Sequence, residues 1–447
     1  MNASPLSAAS GHAVPLRVGV AGLGTVGVGV VEILRNQAAL IAARAGRPIE
    51  VTAVSARDRS RDRGVDLGGL GWEDDAVALA RRDDVDVVVE LIGGAEGTAL
   101  DLARAAFSGG KSFVTANKAM IAAHGPELAA AAEESGLALA FEAAVAGGIP
   151  ILKALREGLA GNAVGRVYGI LNGTCNYILT EMRTTGRDFS DVLAQAQALG
   201  YAEADPTFDV DGIDTAHKLA ILAALAFGGR PDIDAIHVEG IRHVTIDDIR
   251  FAEELGFRIK LLGVARMTGQ GLEQRVHPCM VPLSAPIAHV EGVFNAVVAE
   301  GDAVGGTMFQ GRGAGRGPTA SAVVADLIDI ARGHGGPAFA VPAFSVPALA
   351  LGAPTAAPID AHVGAFYIRL MVLDQPGVLA DVARAFATEQ VSLESLIQRG
   401  RSEVEAVPVV LTTHATSEAA LRRALDTIAA LPAVIEPPRM IRIENSL

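Results

Sequence analysis

The chain has 447 residues, 50% hydrophobic and 20% charged, with a formal net charge of −14. That length exceeds one ordinary core and implies two or three domains, while the acidic balance leaves no basic face for a nucleic acid. Only two cysteines occur, Cys175 and Cys279, a reducing-compartment pattern without a disulfide framework.

Residues 1–15 lack a charged stretch followed by an apolar one and read as a disordered leader, not a signal peptide. No apolar run reaches the ~20 residues needed to cross a bilayer. The expectation is a cytoplasmic protein with neither a membrane nor a nucleic acid as partner.

The first element, LRVGVA (16–21), is an apolar run suited to a buried parallel strand. GLGTVG (22–27) follows at once, then a helical pattern. G-x-G-x-x-G between strand and helix is a dinucleotide fingerprint. Gly22 makes the turn, Gly24 admits a pyrophosphate, and Gly27 lets helix and sheet pack. Thr25 and Val26 open the helix towards the phosphates. Further strands are expected at 49–56, 85–91, 112–115 and 137–141, alternating with helices at 98–108 and 125–135. The pattern is a doubly wound α/β sheet of Rossmann type. The second strand ends SARDRSRDR. Arg57, with Arg59 nearby, suits a 2′-phosphate and favours NADP(H), while Asp58 keeps NAD(H) open.

VTANKAMIA (114–122) places Lys118 at the C-terminal edge of this sheet, where ligands bind in such folds. The alternative is a lysine that caps local carbonyls. FEAAVAGGIPI (141–151) then ends the strand pattern in a turn whose carbonyls suit a hard cation, or serve only as a domain crossing.

From about residue 161 the pattern becomes α+β: a strand at 164–171, a helix from NGTCNYILTEM (172–182), a helix at 209–227, then strands at 257–267, 274–282 and 294–300. Within it, GYAEADPTFDVDGIDTAHK (200–218) crowds five carboxylates in front of Lys218. A calcium loop centred on Gly212 would need a glutamate where Lys218 stands, so that reading fails. On a helix, Asp214 and Lys218 are four apart and share a face. At a surface such a pair is a routine ion pair. In a cleft it offers a carboxylate to a substrate ammonium and an amine as acid or base for carbinol–carbonyl interconversion. His217 points elsewhere and reads as structural. Cys175, at the start of the 172–182 helix, is either a nucleophile or a packing residue, and no companion histidine pattern supports the former.

GTMFQGRGAGRGPTASAVVADLIDIAR (306–332) is a glycine-rich loop to Gly317 and then a helix opened by Pro318. An Ala/Pro-rich linker spans 335–362. The last part, 363–447, has the order β-α-β-β-α-β of the ferredoxin-like split unit. With DQPG (374–377) leading into its first helix, it resembles an ACT domain.

Taken together, GLGTVG, TANKAM, FEAAVAGGIPI, GILNGTCNYILTEM, GYAEADPTFDVDGIDTAHKLAIL and GRGAGRGPTASAVVADL resemble, in order and spacing, the homoserine dehydrogenase family. The resemblance implies reversible NADP(H)- or NAD(H)-dependent interconversion of L-homoserine and L-aspartate 4-semialdehyde, in a form without an upstream kinase region. It implies Lys218 as the acid/base lysine, with Lys118 lining the same pocket. Glu203 and Asp214 become homoserine-binding carboxylates, with Asp209 in support. Glu142, Val145, Gly147 and Ile149 match a sodium site made largely of backbone carbonyls, and Gly200 and Gly315 match positions near the cofactor. The implied domains are 16–141 for the nucleotide, with a return helix at 316–334; 142–315 for substrate and dimerisation; and 363–447 as a regulatory ACT domain. L-Threonine is the implied ligand of that last domain, whose alternative role is assembly alone, in a homodimer or homotetramer. Two rivals are a phosphoglycerate-type hydroxyacid dehydrogenase, which needs an arginine and a Glu-assisted histidine, and a non-catalytic sensor of nucleotide and amino acid.

Overall fold

The structure, a computed structural model, describes residues 14–333, 341–399 and 406–447. The expected leader and the start of the linker thus lie largely outside the described residues. The chain divides into two compact units. The first is Met1–Val167 with His217–Ile233 and Ala296–Pro354; the second is Tyr168–Ala216 with Asp234–Asn295 and Thr355–Leu447.

In the first unit, β1 (Leu16–Ala21), β2 (Ile49–Ser55), β3 (Gly71–Glu73), β4 (Val87–Glu90), β5 (Ser112–Thr115) and β6 (Leu139–Ala140) form a six-stranded sheet. Its order is β3-β2-β1-β4-β5-β6 and every pairing is parallel. The central strands are largely apolar, as suits strands that helices cover on both faces. Strand order reverses between β1 and β4, which opens a crevice at their C-terminal ends. The Thr25–Asn36 helix follows β1, and the Arg316–Ala331 helix returns to pack against it. Gly29 permits that contact, since a Cβ there would lie 2.9 Å from the Arg316 carbonyl oxygen. Val323 and Leu327 of the return helix share a core with Val20, Val30 and Val89.

In the second unit, β7 (Phe257–Thr268) and β8 (Gly271–Pro282) form a long hairpin. The terminal strands are β9 (Val363–Leu373), β10 (Leu393–Gln398), β11 (Ala406–Thr413) and β12 (Arg439–Ile443). With the Val378–Thr388 and Glu418–Ala429 helices they complete the expected β-α-β-β-α-β order. These six strands lie in the order β7-β8-β12-β9-β11-β10, part of a longer sheet. β12 pairs antiparallel with β9 and also parallel with β8, at Cys279↔Arg442 and Met280↔Ile443. Phe366, Ile368 and Leu370 of β9 pack with Phe386 and Leu421 from the two helices.

Three differences from the sequence reading have plain causes. The final strand, which the apolar pattern of the sequence places at 434–444, covers only Arg439–Ile443, because Pro437 and Pro438 offer no N–H to a ladder. Gly305–Arg312 is a strand, not a loop; its glycines hid the alternation. The helix expected over 209–227 is two, Thr207–Val210 and Ile213–Phe227. Gly212, at φ 86, breaks them apart.

Candidate active site

The cofactor side of the first unit is built at the C-terminal ends of β1, β2, β4 and β5. Gly22 takes φ 98, and its N–H donates to the Ser55 carbonyl at 2.9 Å, tying the loop to the end of β2. A Cβ on Gly27 would stand 2.0 Å from the Gly22 carbonyl oxygen, whereas one on Gly24 would meet nothing within 4 Å. The loop is therefore closed beneath and open above, as a backbone cradle for a pyrophosphate requires. Thr25 and Val26 begin the following helix.

The basic stretch after β2 is more ordered than its composition suggests. Asp58 Oδ1 accepts from the Ser60 N–H at 2.8 Å and from its hydroxyl at 2.7 Å, which lowers the carboxyl. The Arg63 guanidinium donates to the carbonyls of Leu23, Arg61 and Asp58. Arg63 and Arg59 both lie 5.6 Å from the Trp72 ring centroid. Arg57 is exposed. Sequence reasoning missed Arg63 and Trp72; a lone tryptophan fifteen residues beyond Arg57 was the available signal.

At the ends of β4 and β5, buried Glu90 accepts from the N–H groups of Ile92 and Gly93 at 2.7 and 2.8 Å and from the Thr115 hydroxyl at 2.6 Å. Thr115 Oγ1 accepts from the Asn117 N–H, and Asn117 Oδ1 accepts from the Met120 N–H as the helix cap. Lys118 is the first residue of the helix so capped, Lys118–Glu134. This network fixes the backbone from which Lys118 projects. It too escaped the sequence reading.

The turn after β6 holds the expected cation residues. Ala146 adopts φ 52, an uncommon value for a residue with a Cβ, and so turns the chain between Val145 and Gly147. Both Glu142 carboxylate oxygens accept helix-start N–H groups, Leu152 at 3.0 Å and Lys153 at 2.8 Å. Burial still raises the Glu142 carboxyl, and burial together with Glu142 pushes Asp326 up to about 8. With that side chain engaged, a hard monovalent cation here would depend on the backbone carbonyls of Glu142, Val145, Gly147 and Ile149, oxygen donors of the kind such an ion takes. Gly315, at φ 118, caps the Arg316–Ala331 helix.

In the second unit the centre is Asn172, a residue the sequence reading gave no role. It caps the Gly173–Thr185 helix: its Oδ1 accepts from the Cys175 N–H at 2.8 Å. That leaves the amide nitrogen to donate to Asp209 Oδ1 and Asp214 Oδ2, both at 2.8 Å. Asn172 and Asp214 are each 4% exposed. The Thr174 hydroxyl stands 2.7 Å from the Tyr201 carbonyl and 3.2 Å from Asp209 Oδ2. Two carboxylates held on one amide make a focus of negative charge whose natural complement is a cation. The Cys175 thiol is buried and donates to the Asp209 carbonyl at 3.2 Å, which is a packing role.

The remaining acidic residues separate by position. Glu203 and Asp205 are exposed. Asp205 Oδ1 takes the Thr207 N–H at 3.1 Å, and Asp211 pairs with Arg242. Gly200, at φ 74, follows the Phe189–Ala198 helix. The Ile213–Phe227 helix carries both Asp214 and Lys218, one turn apart. Another lysine, Lys260, is depressed to about 8 by burial, but its amine is fixed on Asn176 and the Val290 carbonyl and serves the sheet.

Comparison with known proteins identifies the family. Residues 150–328 match the homoserine dehydrogenase family, residues 22–142 its NAD-binding domain, and residues 366–433 the ACT domain. A homoserine dehydrogenase of Pseudomonas aeruginosa is 49% identical over 433 residues, 96% of this chain and 99% of its own. That of Neisseria gonorrhoeae is 47% identical over 432 residues, 96% of this chain and 99% of its own. The crystal structure of a homoserine dehydrogenase from Thiobacillus denitrificans superposes with a TM-score of 0.91 at 47% identity, covering 97% of this chain and 99% of that one. A hyperthermophilic archaeal homoserine dehydrogenase in complex with NADPH matches 71% of this chain and 97% of its own, with a TM-score of 0.61 at 26% identity. By family and fold, this chain belongs to the homoserine dehydrogenases, NAD(P)-dependent oxidoreductases that act on a CH–OH group.

Proposed function

We propose that this chain interconverts L-aspartate 4-semialdehyde and L-homoserine with NADP(H) as its preferred cofactor, and that Lys218 moves the proton. The observation that carries the reading is the pair Asp209 and Asp214 on one Asn172 amide, with Lys218 one helical turn after Asp214. Homoserine has an ammonium group, which the Asp214 carboxylate receives with Glu203, while Asp209 supports Asp214 through Asn172. Its primary hydroxyl lies at the other end of the molecule, where the Lys218 Nζ accepts the proton on oxidation and returns it to the carbonyl oxygen on reduction. Lys118 lines the same pocket and helps to place that oxygen. The nicotinamide, when bound, supplies or accepts the hydride; Gly22, Gly24, Thr25, Val26, Gly27, Gly200 and Gly315 would hold the dinucleotide that carries it.

Preference for NADP(H) rests on the loop after β2. An NAD site presents a free carboxylate to the ribose hydroxyls, but Asp58 is turned onto Ser60. Arg57 and Arg59 remain to meet a 2′-phosphate. Arg57→Ala should raise KM for NADP+ by about tenfold, or about 1.4 kcal/mol, with little change for NAD+. An equal change for both cofactors would remove Arg57 from that role.

The terminal module reads as a regulatory domain for L-threonine. A pocket of about 220 Å³ lies at the turn of Asp374–Gly377 into the Val378–Thr388 helix, where Gly377 has φ 100. A structural sodium ion at the Glu142–Ile149 turn, a homodimer or homotetramer, and a cytoplasmic location complete the reading. The test of the core is catalytic: Lys218→Ala should lower kcat at least a hundredfold while NADPH still binds. Near-normal turnover would exclude Lys218 as the acid/base.

A further inference from the structure

A cavity of about 400 Å³ lies in the first unit, away from the cofactor side. Its walls come from the end of the Lys118–Glu134 helix, from Leu137 and Leu139 around the start of β6, and from Asp326 and Ile330 in the last turns of the Arg316–Ala331 helix. The cofactor loop sits at the C-terminal ends of the strands, whereas Gly136–Ala138 precede β6. Asp326 is eleven residues after Gly315 in the same helix, roughly 16 Å along its axis.

Protein interiors are close-packed and seldom leave voids larger than a water. Here Ala129, Ala132, Ala138 and Ala140 hold the space open, where longer side chains would fill it. Among the described residues no aromatic side chain lines it, so these walls suit a branched aliphatic body. One end is polar. Asp326 is 4% exposed and accepts the Glu142 N–H through Oδ2 at 3.0 Å; no hydrogen bond reaches its Oδ1 among the described residues. Arg156 also lines the cavity. Its NH2 meets Glu157 at 3.2 Å, and its buried Nε has no acceptor. An unused carboxyl oxygen that a nearby cation would ionise, and an under-used guanidinium, stand beside an aliphatic wall; together they call for a ligand with one cationic group, one anionic group and an aliphatic chain.

We propose that this cavity is a second small-molecule site, separate from the active site and from the terminal module, and that it binds an α-amino acid with an aliphatic side chain. The ammonium group faces Asp326, the carboxylate faces Arg156, and the side chain lies among the alanines.

Calorimetric titration of the full-length protein with L-leucine tests this, with isoamylamine and isovalerate as probes that each lack one charge. L-Leucine should bind, and each analogue should bind at least tenfold more weakly. Ala132→Phe should abolish L-leucine binding while dehydrogenase turnover persists. Should Ala132→Phe not fold, Ile330→Trp at the half-buried mouth serves instead. Asp374→Ala, in the terminal module, should leave L-leucine binding intact. No heat with L-leucine would overturn the proposal. So would binding that survives the filled cavity and disappears in Asp374→Ala, and equal binding of the analogues would overturn the zwitterionic class.

Discussion

At the scale of single residues, Asn172 does more than any side chain near the acidic segment. Its amide can satisfy Asp209 and Asp214 together only because its Oδ1 is already held by the Cys175 N–H. Asn172→Ala would strip a shared donor from two carboxylates, one of them almost fully buried, at a cost of about 1–3 kcal/mol. It would also remove a helix cap worth about 1 kcal/mol. The expected outcome is a lower urea midpoint and a KM for homoserine raised at least tenfold, with a smaller change in KM for NADP+. Asn172→Asp keeps the cap and adds a third carboxylate, so it should preserve more of the midpoint but lose as much homoserine affinity. Equal losses for both substrates in both variants would show that Asn172 acts on the fold alone. The importance of Asn172 was not legible in the sequence. Carboxylates announce themselves by charge, whereas a neutral amide that organises them looks like any helix cap.

At the scale of elements, the glycine loop was the most legible part of the site. Its strand-loop-helix context points to Gly22, Gly24 and Gly27, and the packing is consistent with that: a Cβ would clash at Gly22 and Gly27 but not at Gly24. Gly27→Ala should weaken NADPH binding at least tenfold, about 1.4 kcal/mol, because the new methyl would drive the Gly22 carbonyl out of place. Fluorescence titration reads this directly, and an unchanged affinity would contradict the geometry. Legibility failed where pairing, not periodicity, defines an element. β3 is three residues long and Gly305–Arg312 is rich in glycine, so each is a strand only by virtue of its neighbours. The Gly212 break was visible as a glycine but was read through, since the apolar period on either side nearly matches.

At the scale of the whole chain, the terminal module cannot be treated as a detachable piece. β12 completes the edge of β8, and Arg275, 1% exposed at its side chain, pairs with Glu444. Arg442 of β12 pairs with Glu239 and Glu418. A chain cut at the linker would expose the β8 strand edge and leave the Arg275 charge without Glu444. Such a truncation should aggregate, so threonine control is better tested with Asp374→Ala in the full chain.

The same network sets the acid limit of the second unit. Burial and the guanidiniums of Arg275 and Arg442 hold His277 well below the usual histidine range and His362 at about 3, while Arg275 draws Glu444 down to about 2. Glu418 is lowered as well, with burial opposed by Arg442, and Glu273 sits against His362. A histidine depressed in the fold contributes stability that is whole above its unfolded value, near 6.5, and is lost as pH falls towards the folded one. The depressed carboxylates add a second loss below about 4.5. Through these groups the urea midpoint should fall below pH 6.5 and fall again below pH 4.5. A midpoint that rises as pH drops below 6.5 would contradict the buried neutral histidines.

The central claim is that Asp214 and Lys218 bring a substrate ammonium and its hydroxyl to one helix face. Its most direct test is NADPH formation from L-homoserine at alkaline pH by the full chain and by Lys218→Ala, with NADPH affinity measured on both. The account predicts steady turnover by the former and at least a hundredfold lower kcat in the latter, at matching affinity. No turnover of L-homoserine by the wild-type chain, or equal kcat in the two proteins, would contradict it.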